Sequence, residues 1–237
     1  MKIHLISYGN NGYINQKKVL EKTAISSLLF DTVTVYSPGD LDRTFLQQFH
    51  HLIFQHKGGG YWMWKPYLIK RFYDSIPSGD IVIYCDAGCL INGEGRKRFN
   101  EYMDIIVNSH FGSLAFELPH REIEYSKREV FDYFECSRDI IESNQLMATV
   151  ILLRKTKHVS DLLMHWNMVL NNAPLLFTDV LDENTQYHEF IDHRHDQSIF
   201  SIIRKTYGSE IIADETYFSN FPEEGCLFPF WAARMRG

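Results

Sequence analysis

Several classes of protein are excluded by what this sequence lacks. No apolar run approaches the ~20 residues a membrane-spanning helix needs, and Met1-Lys2 leads straight into an apolar strand, so a cytoplasmic protein with no transmembrane segment is expected. Basic residues are in the minority, 24 Lys and Arg against 30 Asp and Glu, for a formal net charge of -6. That balance excludes a broad nucleic-acid surface, which works by neutralising many phosphates, but leaves room for a small anion in a local basic pocket. The four cysteines contain no CxxC pair and read as free thiols in a reducing compartment. Internal repeats, low-complexity tracts and linkers are also missing.

What is present suits one α/β domain spanning 1–237, with a sheet flanked by helices. With 237 residues, 45% apolar and 23% charged, the chain can bury a single core. The 17 Phe, 13 Tyr and 4 Trp serve cores, and also make flat walls against sugar rings or bases. Ile3 to Ser7 reads as a strand opening onto Tyr8-Gly9-Asn10-Asn11-Gly12, a loop tolerant of positive φ. Val19, Leu20, Ala24, Ile25, Leu28 and Leu29 recur at helical spacing, and Thr32 to Tyr36 is β-branched, which completes a βαβ unit with a parallel sheet. A second helical pattern runs from Leu41 to Ile53, and a third begins near Trp64 with Pro66 in its first turn. Asp80 to Asp86 has the unbroken apolar centre of a strand covered on both faces. Ser126-Lys127-Arg128-Glu129 fits a capping box opening a short helix. Met147 to Leu153 reads as a strand, Val159 to Leu170 and Gln197 to Tyr207 as helices, and Glu210 to Ala213 as a last strand.

Three constellations offer chemistry. Asp86 closes the most buried strand, where open α/β sheets place their ligands. With Ala87-Gly88 behind it there is room for a hydrated Mg²⁺ or Mn²⁺ and a diphosphate, although Asp-Ala-Gly also serves simply to turn a chain. Lys57-Gly58-Gly59-Gly60-Tyr61-Trp62-Met63-Trp64-Lys65-Pro66 combines close backbone approach, ring faces and charge at a helix start, a pocket for an anion and a ring; the bland alternative is a flexible turn with buried tryptophans. No Lys-Ser or Lys-Thr follows the glycines, so a P-loop is unsupported. His193-Arg194-His195-Asp196-Gln197-Ser198 lies just before a helix, where Asp196 is either an N-cap or a group facing a substrate. Arg234 and Arg236 at the end of the chain either fork onto a diphosphate or form a solvated tail.

In order along the chain, Gly60-Tyr61-Trp62-Met63-Trp64-Lys65-Pro66, Tyr84-Cys85-Asp86-Ala87-Gly88-Cys89, Ser126-Lys127-Arg128-Glu129-Val130-Phe131, Asn144-Gln145 and His193-Arg194-His195-Asp196-Gln197-Ser198 resemble a group of bacterial and viral GT-A glycosyltransferase-like proteins. The resemblance implies a nucleotide-diphospho-sugar transferase fold. Residues up to about 90 would form the nucleotide-binding half, and about 91–237 the acceptor and sugar half. It implies transfer of a sugar, from a UDP-sugar by preference, to a carbohydrate or glycoconjugate acceptor. The Asp196-Gln197 pair is similar to one in retaining enzymes, so Asp86, Asp196 and Gln197 are the expected catalytic residues, with retention of configuration. Ser7, Tyr8, Gly9, Gly60, Tyr61, Trp64, Lys65, Asn144, Gln145, Arg234 and Arg236 are the expected donor-binding set. The family's Asp-x-Asp is here Asp86-Ala87-Gly88, so a divalent cation, Mn²⁺ or Mg²⁺, would rest on Asp86 with Asp196 or a neighbouring histidine, His195, as the replacement ligand. Two rivals accompany this reading: an inactive nucleotide-sugar-binding protein, and a metal-dependent phosphohydrolase built on His193 to Asp196.

Overall fold

The computed structural model describes residues 1–235, so Arg236 lies outside the described residues. The expected alternation forms as β1 (Ile3–Tyr8), α1 (Ile14–Ser27), β2 (Thr32–Tyr36), α2 (Trp64–Ser75) and β3 (Ile81–Cys85). The chain continues through β4 (Leu90–Ile91), α3 (Arg96–Asn108), β5 (Ser113–Arg121), β6 (Asn144–Leu146), β7 (Val150–Arg154) and α4 (Lys157–Asn172). It ends with α5 (Asp196–Tyr207), β8 (Glu210–Ala213) and β9 (Phe230–Trp231). The Leu41 to Ile53 pattern resolves into two short turns, Arg43–Gln48 and His50–Ile53.

The sheet order is β2-β1-β3-β7-β5-β6, with β8 on β5. β1, β2, β3, β5 and β8 run one way, while β6 and β7 oppose them. The sheet is therefore mostly parallel, as expected. β3 lies between β1 and β7, and its residues alternate between two cores. Val82 and Tyr84 face the core that includes Trp64 and Leu68 of α2, Leu162 and Trp166 of α4, and Ile199 and Ile203 of α5. Ile81, Ile83 and Cys85 face the core that includes Leu20 of α1 and Phe99, Tyr102 and Ile106 of α3. Burial on both faces is why this strand reads as a continuous apolar run.

Two local readings need correction. The short helix after Ser126 starts at Arg128 with Lys127 as its N-cap and no side-chain cap, because the Ser126 hydroxyl donates instead to Glu122 at 2.7 Å. The register is one residue off, so no capping box forms. Asp196 is likewise not the N-cap of α5: His195 holds that place, and Asp196 is the first helical residue, its carboxylate freed for another partner.

Before α2 the backbone does something L-residues avoid. Gly58, Gly59, Gly60, Tyr61 and Trp62 all have positive φ, 60°, 57°, 93°, 55° and 56°. Each L-residue held in the left-handed helical region costs about 1–2 kcal/mol, so Tyr61 and Trp62 store strain that the surrounding packing must hold. At Gly60 a Cβ would sit 2.6 Å from the Ile53 Cα, which demands glycine on steric grounds as well as conformational ones. Gly60→Ala is expected to lower stability by more than ~1 kcal/mol, read as a fall in the urea midpoint at unchanged slope.

Candidate active site

At the carboxyl ends of β1 and β3, a cleft of about 530 Å³ opens between the glycine-tryptophan turn, the Asp86-Ala87-Gly88 turn and the start of α5. All three constellations singled out in the sequence converge here. Tyr8, Asn10 and Tyr13 line one end; Gly58, Gly59, Trp62, Trp64 and Lys65 line another; Asp86 to Cys89 and Asp192 to Gln197 supply most of the remainder.

The floor is a three-way ion cluster. Pro66 and the preceding turn set the start of α2 so that Lys65, 2% exposed, points inward. Its Nζ lies 3.1 Å from Asp86 Oδ1 and 2.7 Å from Asp196 Oδ2, and donates to the Ala148 carbonyl at 3.1 Å. Those contacts set the ammonium between the two carboxylates and the carbonyl. Burial opposes the charge on Lys65, but the Asp196 and Asp86 carboxylates outweigh it and hold the ammonium's pKa above its ordinary value. Burial pushes the Asp196 carboxyl up to about 6, with Lys65 pulling the other way and Asp86 adding to the rise. Asp86 is anchored by Tyr84, whose hydroxyl donates to Oδ1 at 2.6 Å, and by its own backbone N–H on Thr149 at 2.9 Å. Its side chain remains 30% exposed and faces the opening.

The wall carries His195 in a strained conformation, φ 50° and ψ -117°. Its ring stacks on Trp62 at 5.2 Å between centroids and lies 5.5 Å from Tyr61. Three non-glycine residues with positive φ thus brace one another beside the cleft. His195 Nδ1 donates to the Phe177 carbonyl at 2.8 Å, which fixes the tautomer and leaves Nε2 as an acceptor, 3.6 Å from Asp179 Oδ1. Burial lowers its pKa to about 4, so the ring is neutral at neutral pH. Both His193 nitrogens are committed, Nδ1 accepting from the Lys127 N–H and Nε2 donating to the Leu176 carbonyl.

Behind the wall is a buried polar chain. Glu122, fully buried, accepts from Ser126, Ser201, Lys205 and Gln145. Gln145 Oε1 accepts from Gln197 Nε2 at 2.8 Å, and Gln197 Oε1 accepts from the Ala148 N–H at 3.2 Å. Gln197 therefore reaches the cleft with both ends of its amide already engaged, and it ties α5 to the same residue that Lys65 holds.

Of the expected donor-binding residues, Tyr8, Trp64, Lys65 and Arg234 line the cleft. Ser7, Gly9, Gly60, Tyr61, Asn144 and Gln145 do not. Ser7 and Gln145 are fully buried, Gly60 packs on Ile53, Asn144 sits in β6, and Gly9 is held by its N–H on the Tyr36 carbonyl. Arg194 and Lys57 line the cleft without having been singled out as ligands. Their signal was position alone, immediately beside His195 and Gly58. Arg234 arrives because β9 pairs with β4, just beyond the Asp86 turn, after which Met235 N donates to the Gly88 carbonyl at 3.2 Å.

The proposed cation site does not form from these residues. Asp86 is paired with Lys65 and Tyr84, and His195 donates from Nδ1 to the Phe177 carbonyl. Among the described residues no three His, Cys, Asp or Glu side chains gather as ligands. The position between Asp86 and Asp196 is filled by an ammonium, so the donor set does not fit Mg²⁺ or Mn²⁺. Among the described residues no helix is long and apolar enough to cross a membrane.

No family model and no curated protein matches this sequence. Among solved structures, a glycosyltransferase involved in the glycosylation of the major capsid of PBCV-1 aligns with a TM-score of 0.53 at 12% identity, over 98% of this chain and 93% of that one. Mouse xyloside xylosyltransferase 1 aligns at 0.49 and 13%, over 98% and 97%. The galactosyltransferase LgtC, with donor and acceptor sugar analogs, aligns at 0.49 and 13%, over 91% and 75%. At these identities the likeness is one of fold, and it rests on the first of the three. The chain has the GT-A fold.

Proposed function

We propose that this protein is a glycosyltransferase that moves a sugar from a nucleoside-diphosphate donor, a UDP-sugar by preference, to a carbohydrate or glycoconjugate acceptor. The observation that supports this most is the arrangement of charge in one cleft: a carboxylate pair on the floor and cationic side chains, Lys57, Arg194 and Arg234, around it. Breaking the bond between the anomeric carbon and the diphosphate builds negative charge on the leaving group and positive charge on the sugar. Cations near the phosphates and carboxylates near the ring stabilise that separation more than they stabilise the ground state.

In this reading Tyr8, Asn10 and Tyr13 hold the nucleoside, with Tyr13 exposing a ring face and Tyr8 buttressed by Trp64 at 4.0 Å between centroids. Asp86, the more open carboxylate, meets a donor hydroxyl. Asp196 faces the developing positive charge, and Gln197 positions it by fastening the start of α5 to Ala148. Retention of configuration follows from the likeness of Asp196-Gln197 to the pair in retaining enzymes. The phosphohydrolase alternative gains nothing from the geometry, since His193 and His195 spend ring nitrogens on backbone groups.

The test is to incubate purified protein with UDP-, GDP- and dTDP-hexoses. One is expected to raise the melting temperature and to release its nucleoside diphosphate slowly without an acceptor. A shift without release identifies an inactive binder, and no shift with any of them removes the proposal.

A further inference from the structure

The cleft solves a charge problem in an unusual place. Two carboxylates and a diphosphate brought together repel one another strongly, and a divalent cation is one way of joining them. Here the space between the carboxylates is taken by Lys65, which is ion-paired with Asp86 and Asp196 and donates to the Ala148 carbonyl. It is 2% exposed, so it cannot turn outward to a phosphate without breaking the cluster. Expected as a donor-binding group, this lysine is instead buried in the floor of the cleft between two carboxylates.

The cations that do face the cleft stand apart from this cluster. Arg194 is fixed by its main-chain N–H, which donates to the Tyr125 carbonyl and the Ser198 hydroxyl, and by the Tyr125 ring, over which its guanidinium lies at 4.5 Å. Arg234 is brought across by the β4–β9 pair and the Met235 to Gly88 hydrogen bond. Among the described residues no carboxylate pairs with either guanidinium, although most other arginines have such a partner. The two arginines line the same cleft. Lys57, at the start of the glycine turn, also lines the cleft, with Asp179 at 2.9 Å and Asp192 at 3.9 Å from its ammonium.

We propose, resting on the glycosyltransferase reading, that donor binding in this protein is metal-free: Lys65 permanently occupies the cation's place between Asp86 and Asp196, and Arg194, Arg234 and Lys57 carry the diphosphate. Guanidinium groups suit this task, since their planar fork matches phosphate oxygens in pairs. The ammonium leaves the two carboxylates with a single net negative charge, enough to attract a cationic sugar centre while repelling the phosphates less than a bare pair would. The glycine turn and the segment carrying Arg234 and Met235 line that one cleft together.

The experiment is a calorimetric titration of UDP, GDP and dTDP into wild type and into Arg194→Ala and Arg234→Ala. Each is run once in EDTA and once in Mn²⁺, with the binding of Mn²⁺ to nucleotide-free protein followed by electron paramagnetic resonance. The expected result is that the preferred nucleotide binds equally well in both buffers, that each arginine variant weakens it about tenfold or more, and that the free protein binds no Mn²⁺ in the cleft. Binding that disappears in EDTA and returns with Mn²⁺ overturns the metal-free assignment and leaves the glycosyltransferase reading intact, as does bound Mn²⁺ that Asp86→Asn removes. Unchanged affinity in both arginine variants overturns the assignment of the phosphates. No binding by any of the three nucleotides in either buffer removes the glycosyltransferase reading itself, and the inference with it.

Discussion

Lys65→Met is expected to lower the unfolding free energy by about 3–5 kcal/mol, because it strips the counter-charge from two carboxylates of which one is almost wholly buried. For a chain of this size that corresponds to a fall in melting temperature of roughly 6–20 °C. The side chain's volume is nearly conserved, so the loss would come from charge and hydrogen bonding rather than from a cavity. The second half of the expectation separates that cause from others. In the double variant Lys65→Met with Asp196→Asn, one buried charge is removed along with its partner, and most of the lost stability is expected to return. Activity would not return, since the double variant lacks the Asp196 carboxylate. Thermal unfolding of the wild type, both single variants and the double variant measures the coupling directly. If the double variant is as unstable as the sum of the singles, the cluster is not what holds Lys65 in place.

Asp196→Asn alone is expected to reduce turnover about 10²–10³-fold while leaving donor affinity nearly unchanged. An interaction made only as the sugar becomes cationic should appear in kcat and not in binding. The same residue sets a pH dependence. Burial raises its pKa to about 6, with Lys65 opposing and Asp86 assisting. The charged carboxylate is the working form, so turnover should rise with pH through about 6 and level off above it. Other groups facing Asp196 do not compete for that window: Lys65 is held charged by its two carboxylates, and burial keeps His195 neutral down to about 4. A flat profile from pH 5 to 8 in the wild type, or a rise that persists in Asp196→Asn, would remove Asp196 from this role.

The strand that ends at Asp86 was legible because burial on both faces leaves an unbroken apolar run. The location of the site followed from the rule that parallel sheets bind at their carboxyl edges. The tryptophan-lysine turn was legible from composition, since three glycines and two tryptophans together have few purely structural uses. Its role was not. Whether Lys65 points up to a ligand or down to Ala148 depends on a left-handed turn whose φ values no local pattern announces, and on a carbonyl 83 residues away. The same distance hid the function of Gln145: Asn144-Gln145 reads as a polar pair, but β6 lies behind the cleft and turns Gln145 into a support for Gln197. Helix α3 and strand β5 went unread, although Phe99, Tyr102, Met103 and Ile106 recur at helical spacing and all four are buried. Strand order could not be anticipated, because β5 draws its partners from both later and more distant segments, with β7 and β6 antiparallel and β8 parallel.

The most direct measurement is a crystal structure of the protein with a non-hydrolysable analogue of its preferred nucleotide-sugar. The diphosphate is expected against Arg194 and Arg234, the base beside Tyr13, and the anomeric carbon above Asp196, with Lys65 unmoved between its carboxylates. A ligand seated on another face, or a diphosphate that draws Lys65 out of its cluster, would contradict this arrangement.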